Sequence, residues 1–171
     1  MAASAARGRD GNRRADAAEA DMLLEWLFLG SKAAAEETFL QRHGIGCVLS
    51  CCRAPLLPCP TKQLPMQDSP EEQLAPFLED ALGFLSEAKA RGEKCLVHCS
   101  AGSSRSVAIV LAYLILSEKL PLCDALALLR ARRPKARPNV GFARQLIDLD
   151  RATHGHTSVT LADMGFDDQF H

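Results

Sequence analysis

Leu96-Val97-His98-Cys99-Ser100-Ala101-Gly102-Ser103-Ser104-Arg105-Ser106 is the stretch on which the reading of the chain turns. Val107-Ala108-Ile109-Val110-Leu111-Ala112-Tyr113-Leu114-Ile115-Leu116 follows it directly. Cys95-Leu96-Val97 reads as a short buried strand. The run after Arg105 is too long for a strand and lacks Pro and Gly, so it reads as a helix buried nearly all round. Cys99 therefore falls at the C-terminal end of a strand, where the chain turns into a helix N-terminus. Such a turn leaves backbone N–H groups without partners, and the helix dipole adds partial positive charge. Ser100, Ala101, Gly102, Ser103 and Ser104 are small enough to let successive amides face one point, closed by the Arg105 guanidinium. That nest suits a tetrahedral dianion such as phosphate. The same field draws a thiol at its centre from about 8.5 into a range of roughly 3.5–7.5, so Cys99 is expected to be a thiolate at neutral pH. An anion site with a nucleophile at its floor points to phosphoryl transfer.

Around this stretch the chain has the make-up of one soluble α/β domain. Its 171 residues are 47% hydrophobic and 24% charged, enough for a real core. A formal net charge of −1 gives no hint of nucleic acid or an anionic membrane as partner. The apolar run 107–116 is about half of what a membrane span needs. No secretory apolar region follows Met1 and position 2 is alanine, so neither export nor myristoylation is expected. The seven cysteines lack paired zinc spacing, with Cys51, Cys52 and Cys59 the only loose cluster. Reduced thiols in a cytosolic or nuclear protein are the expectation.

In chain order, residues 1–21 carry almost no large apolar side chain and are expected to be a disordered tail. The domain is placed at 22–153. Glu25–Leu29 reads as a strand, Lys32–Arg42 as a helix closed by Gly44, Cys47–Ser50 as a strand and Lys62–Met66 as another. Leu74, Phe77, Leu78, Ala81, Leu82 and Leu85 form the stripe of an amphipathic helix over 74–90. After the central helix, Pro121 starts a helix with Leu122, Ala125, Leu126, Leu128 and Leu129 as its apolar side. Arg130, Arg132 and Arg133 then read as a solvated, cationic C-terminal end, and Lys135 and Arg137 could add attraction for an acidic phosphoprotein. Val140–Arg151 is a last helix, and 154–171 reads as a flexible tail. Strands alternating with helices imply a single domain with a central, mainly parallel sheet flanked by helices. Ligands bind such a sheet at the C-terminal strand ends.

His-Cys-x-x-Gly-x-x-Arg-Ser at 98–106 resembles the phosphate-binding loop of the cysteine-dependent protein phosphatases, and most closely that of the small atypical dual-specificity phosphatases. Leu27-Phe28-Leu29-Gly30-Ser31, His43-Gly44-Ile45 with Val48-Leu49, Asp68-Ser69-Pro70, Ala112-Tyr113-Leu114, and Arg133-Pro134 with Pro138-Asn139-x-Gly141-Phe142 follow in family order. The resemblance implies a cysteinyl-phosphate intermediate. Cys99 is the nucleophile, Arg105 and the amides of 100–105 grip phosphate, Asp68 is the general acid, and Ser106 hydrogen-bonds the sulfur. His98 organises the loop, and the Asn139 amide supports it from behind. From the residues alone, Asp68 or Ser69 could instead cap a helix at Pro70, and Glu71, Glu72, Glu79 and Asp80 lie close enough in sequence to compete as acid. Ser106 could serve only the helix start, and Asn139 could be a plain turn residue. No metal or other cofactor is called for, because the loop supplies the positive field.

A short chain implies a shallow pocket, open to phosphoserine and phosphothreonine as well as phosphotyrosine on a phosphoprotein partner. A weakly active or inactive phospho-binding scaffold is the alternative function. A rhodanese-like sulfur transferase would fit the strand–loop–helix layout but leaves Asp68 and Asn139 unexplained. Cys51 and Cys52, at the end of a neighbouring strand, are placed to trap an oxidised Cys99. No feature speaks for a particular oligomeric state.

Overall fold

The computed structural model describes residues 19–54 and 57–167. Its strands are β1 (Ala20–Leu24), β2 (Leu27–Gly30), β3 (Ile45–Ser50), β4 (Thr61–Gln63) and β5 (Lys94–His98). Its α-helices are α1 (Glu37–His43), α2 (Ala75–Ala90), α3 (Arg105–Leu116), α4 (Leu122–Arg132) and α5 (Val140–His154). The sheet runs β1-β2-β5-β3-β4, with only the β1–β2 pair antiparallel. The architecture is thus the expected mainly parallel α/β domain.

Strand alternation sorts the side chains between two layers. Leu27, Leu29, Cys47, Leu49, Cys95 and Val97 face α2, α3, α4 and α5. Phe28, Val48 and Leu96 face the opposite side, under Phe39 and Leu40 of α1. Helix α3 lies at the centre of the first layer, with every residue from Ser106 to Ile115 buried. Each fully buried Val, Leu or Ile there contributes about 1.5–3 kcal/mol, so this helix anchors the fold. In register, His98 of β5 is level with Gly30 of β2 and Ser50 of β3. Cys99 therefore emerges one residue beyond a flush edge of three parallel strands.

Several boundaries differ from the sequence reading, each for a tertiary reason. Strand β1 starts at Ala20, inside the segment assigned to the N-terminal tail. Its first residues are held because Ala20 is buried and the Glu19 carbonyl accepts from the Ser31 amide at 2.8 Å. Residues 1–18 of that tail lie outside the described residues. The helix expected over 32–42 is broken into a 3₁₀ turn, Lys32–Ala34, and α1, with extended Glu36 as N-cap. The Lys32 amide is committed to the Ser100 carbonyl at 3.1 Å, which ties the turn to the phosphate loop. Gly44 does close α1 with φ of 65°.

The C-terminal region departs furthest from a flexible tail. Helix α5 runs to His154, and Gly155 closes it at φ of 80°. The buried Asp150 carboxylate then accepts from both the amide and the hydroxyl of Ser158, each at 2.7 Å. Val159 and Met164 are buried in the helix-side core. Residues 168–171 lie outside the described residues.

Candidate active site

The loop between β5 and α3 is shaped by the fate of its carbonyls. The carbonyl of His98 and each carbonyl from Ser100 to Ser104 face a donor that turns them away from the centre. Cys51 N–H takes His98 O at 2.7 Å, Lys32 N–H takes Ser100 O, Arg137 N–H takes Ser103 O at 2.8 Å, and Ala108 N–H takes Ser104 O at 2.8 Å. Arg133 takes two: its Nε donates to Gly102 O at 2.6 Å and its Nη2 to Ala101 O at 3.3 Å. The Cys99 carbonyl lies 3.2 Å from His98 Nδ1. With the oxygens fixed outward, the amides turn inward as a nest. Gly102 is at φ of +68°, and a Cβ there would overlap the Gly30 carbonyl and the Arg133 guanidinium.

Cys99 lies at the floor of this nest, 1% exposed. Its Sγ accepts from the Ser106 hydroxyl and the Gly102 amide, both at 3.2 Å. Burial alone pushes the thiol pKa up. The hydroxyl and amide of Ser106, the Gly102 amide and the charge of Arg105 outweigh it, and the net direction is down. Cys51, beside it in register, is a contrast: burial and the neighbouring Cys99 charge push its thiol well up. Cys59 packs on the other face of the sheet, so the loose cysteine cluster is split by the sheet. All seven cysteines are free, and among the described residues no group of acids, histidines and cysteines is placed to hold a metal.

Arg105 and Asp68 form the rim. The Arg105 side chain is 14% exposed; its Nη2 donates to Ser100 Oγ at 2.9 Å and its Nη1 reaches Met66 O at 3.4 Å. Its Nε is buried without a hydrogen bond, the nearest carboxylate oxygen being Asp68 Oδ2 at 3.9 Å. A guanidinium N–H beside an amide nest is suited to donate to an anion oxygen. Asp68 Oδ1 accepts from Ser104 Oγ at 2.6 Å and from Asn139 Nδ2 at 3.0 Å. Ser69 caps a local turn, its Oγ accepting from the Glu71 amide at 3.2 Å, and α2 begins only at Ala75. No helix starts at Pro70, so Asp68 is free to face the loop.

Asn139 holds more than the sequence suggested. It is the N-cap of α5, its Oδ1 accepting from the Phe142 amide at 3.0 Å, while its backbone N–H donates to Ser104 Oγ at 3.0 Å. His98 is fully buried on the face away from Cys99, with Nε2 at 2.9 Å from the Ser50 hydroxyl. Burial lowers its pKa, helped by the Lys32 charge and opposed by the Cys99 carbonyl, so the ring is neutral at pH 7.

Arg133 is the correction among the basic residues. It is 1% exposed rather than solvated, with its Nη1 on Asp21 Oδ2 at 2.6 Å. A signal was present: 122, 126, 129 and 133 continue one buried helical stripe. Arg137 is also engaged, donating to Gly165 O at 2.5 Å and lying 4.8 Å over the Phe166 ring. Ser50 and Gln145 are further positioning contacts that the sequence reading passed over.

Comparison with known proteins agrees with this geometry. Residues 27–152 match the model of the dual specificity phosphatase catalytic domain. Dual specificity protein phosphatase 22 from Xenopus laevis is 35% identical over 153 residues, covering 87% of this chain and 73% of the relative. Dual specificity protein phosphatase PHS1 from Arabidopsis thaliana is 35% identical over 157 residues, which is 86% of this chain but 17% of that longer protein. The crystal structure of human DUSP28 superposes with a TM-score of 0.72 at 33% identity, covering 78% of this chain and 93% of that one. With the nest, the buried thiol and the rim carboxylate all inside the matched segment, the chain belongs to the dual specificity phosphatase family and carries the catalytic domain of a protein phosphatase.

Proposed function

We propose that the protein hydrolyses phosphate monoesters on tyrosine and on serine or threonine of phosphoproteins through a cysteinyl-phosphate. One observation carries the reading: a hydrogen-bonded Cys99 thiol, its pKa drawn down, under a nest whose carbonyls point away, with Asp68 and Arg105 on the rim. Cys99 forms the S–P bond as the bond from phosphorus to the leaving oxygen breaks. The amides of 100–105 and the Arg105 guanidinium hold the equatorial oxygens. Asp68 Oδ1 is occupied by Ser104 and Asn139, which leaves Oδ2 to carry the proton that the departing oxygen takes up. In the second step water attacks phosphorus and gives its proton to Asp68. The S–P bond breaks, inorganic phosphate leaves, and the Ser106 hydroxyl stabilises the returning thiolate.

Asp68 on a rim where its side chain is 40% exposed supports a shallow site, accessible to short phosphoserine and phosphothreonine side chains. The contacts of Asp68 with Ser104 and Asn139 have a use in phosphatase chemistry and none in sulfur transfer. Free thiols throughout suit a reducing compartment such as the cytoplasm. The test is hydrolysis of an aryl phosphate at mildly acidic pH, with chelator present, by the wild type, Cys99→Ser and Asp68→Ala. Abolition by Cys99→Ser and a fall of about 10²–10³-fold in Asp68→Ala are expected. A folded, reduced wild type with no turnover would overturn the reading in favour of a phospho-binding scaffold.

A further inference from the structure

The segment that carries Asp68 is neither helix nor strand, and one face of α5 grips it at successive levels. At the N-cap, Asn139 Nδ2 donates to Asp68 Oδ1 and, at 3.2 Å, to Ser69 O. Within the first turn, Gly141 lies so close beneath the segment that a Cβ on it would overlap the Pro70 carbonyl. One turn further on, Gln145 reaches back. Its Oε1 accepts from the Leu74 amide at 2.8 Å, and its Nε2 donates to Glu72 O at 2.8 Å and to Gly141 O at 3.2 Å. Positions 141 and 145 share a face because they are one turn apart. A side-chain amide that satisfies a donor and an acceptor two residues apart does for this segment what a neighbouring strand does for a ladder.

We propose that Gln145 is a positioning residue for the proton transfer, holding the segment so that Asp68 Oδ2 meets the departing oxygen. This rests on Asp68 being the general acid. All of its hydrogen bonds go to backbone of the acid segment and of α5, and none to residues 99–105. Its loss therefore acts on protonation of the leaving group and leaves the nucleophile and the phosphate nest intact.

That division gives a readout. A phenoxide of high pKa needs a proton to leave, whereas a dinitrophenoxide leaves without one, and kcat/KM reports only the steps up to formation of the cysteinyl-phosphate. Gln145→Met keeps the length and removes the hydrogen bonds. Gly141→Ala pushes on the same segment from below and serves as an independent second variant. Each is compared with Asp68→Asn on phenyl phosphate and on 2,4-dinitrophenyl phosphate, after thermal unfolding has shown it folded. The expectation for Gln145→Met is a fall of about tenfold in kcat/KM on phenyl phosphate with the dinitrophenyl ester within about twofold of wild type. Gly141→Ala is expected to share the sign. Equal losses on both esters, or none on either, overturn the role of Gln145 if Asp68→Asn itself discriminates between the esters. If Asp68→Asn shows no discrimination, the assignment of the acid is overturned and the role of Gln145 with it.

Discussion

Ser106 is one of the groups that favour the charged form of Cys99. Burial raises the thiol pKa, and the Ser106 hydroxyl is the first of the groups that oppose it. Ser106→Ala should therefore raise the pKa of Cys99 towards, or beyond, that of an ordinary thiol, shrinking the thiolate fraction at every pH below it. The measurement is the pH dependence of Cys99 alkylation by iodoacetamide, expected to shift to higher pH. On the proposed mechanism, breakdown of the cysteinyl-phosphate should slow as well, because the departing sulfur loses a donor. A fall of about 10–100-fold in kcat is expected, seen as a burst of phenol release before a slow steady state. An unchanged alkylation profile would show that the backbone amides and Arg105 hold the charge without the hydroxyl. At this scale the arrangement was legible in the sequence, because Cys99, Arg105 and Ser106 are neighbours in one loop whose geometry follows from local rules. The place of Asp68 on the rim was legible only through its family setting. What distinguishes it from Glu71 or Glu72 is the reach of Ser104 and Asn139, one of them 71 residues away in sequence.

Helix α4 shows where local rules stop. Its stripe of Leu122, Ala125, Leu126 and Leu129 was legible, and so was its cationic end, but the rule that arginine is exposed broke at Arg133. That side chain is buried because Asp21 and two loop carbonyls together satisfy the guanidinium, and those partners come from β1 and from the β5–α3 loop. No property of α4 itself announces them. Arg133→Met leaves the largely buried Asp21 carboxylate unpaired and frees two carbonyls to swing inward. A loss of about 3–5 kcal/mol in unfolding free energy is expected, with a rise in KM as the nest loosens. Asp21→Asn retains a hydrogen-bond acceptor for Arg133 and should cost less, about 1–2 kcal/mol. Urea titration with steady-state kinetics checks both, and equal costs for the two variants would mean that the carbonyl contacts carry little.

Across the whole molecule, element types and order were legible, since hydrophobic period and turn residues set them. The edges were not, because each edge is fixed by something distant. Ala20 is held by pairing with Gly30, and the chain after His154 is held by Asp150, Val159 and Met164. Met164 is fully buried, so Met164→Ala should lower stability by about 2–4 kcal/mol in urea unfolding. Ending the chain at Gly155 should cost more, because it also strips both Ser158 donors from a buried carboxylate. A truncated chain as stable as Met164→Ala would make the Asp150 clamp dispensable. One consequence of the outward-turned carbonyls reaches beyond stability. Their ordering is completed during folding, so an arriving tetrahedral oxyanion faces little of the entropy cost, about 1–2 kcal/mol per residue, of fixing a disordered loop. Any tetrahedral oxyanion should meet the same prepared cradle. The loop is then indifferent to which alcohol the phosphorus is leaving, and discrimination between tyrosine and serine falls to the walls around it.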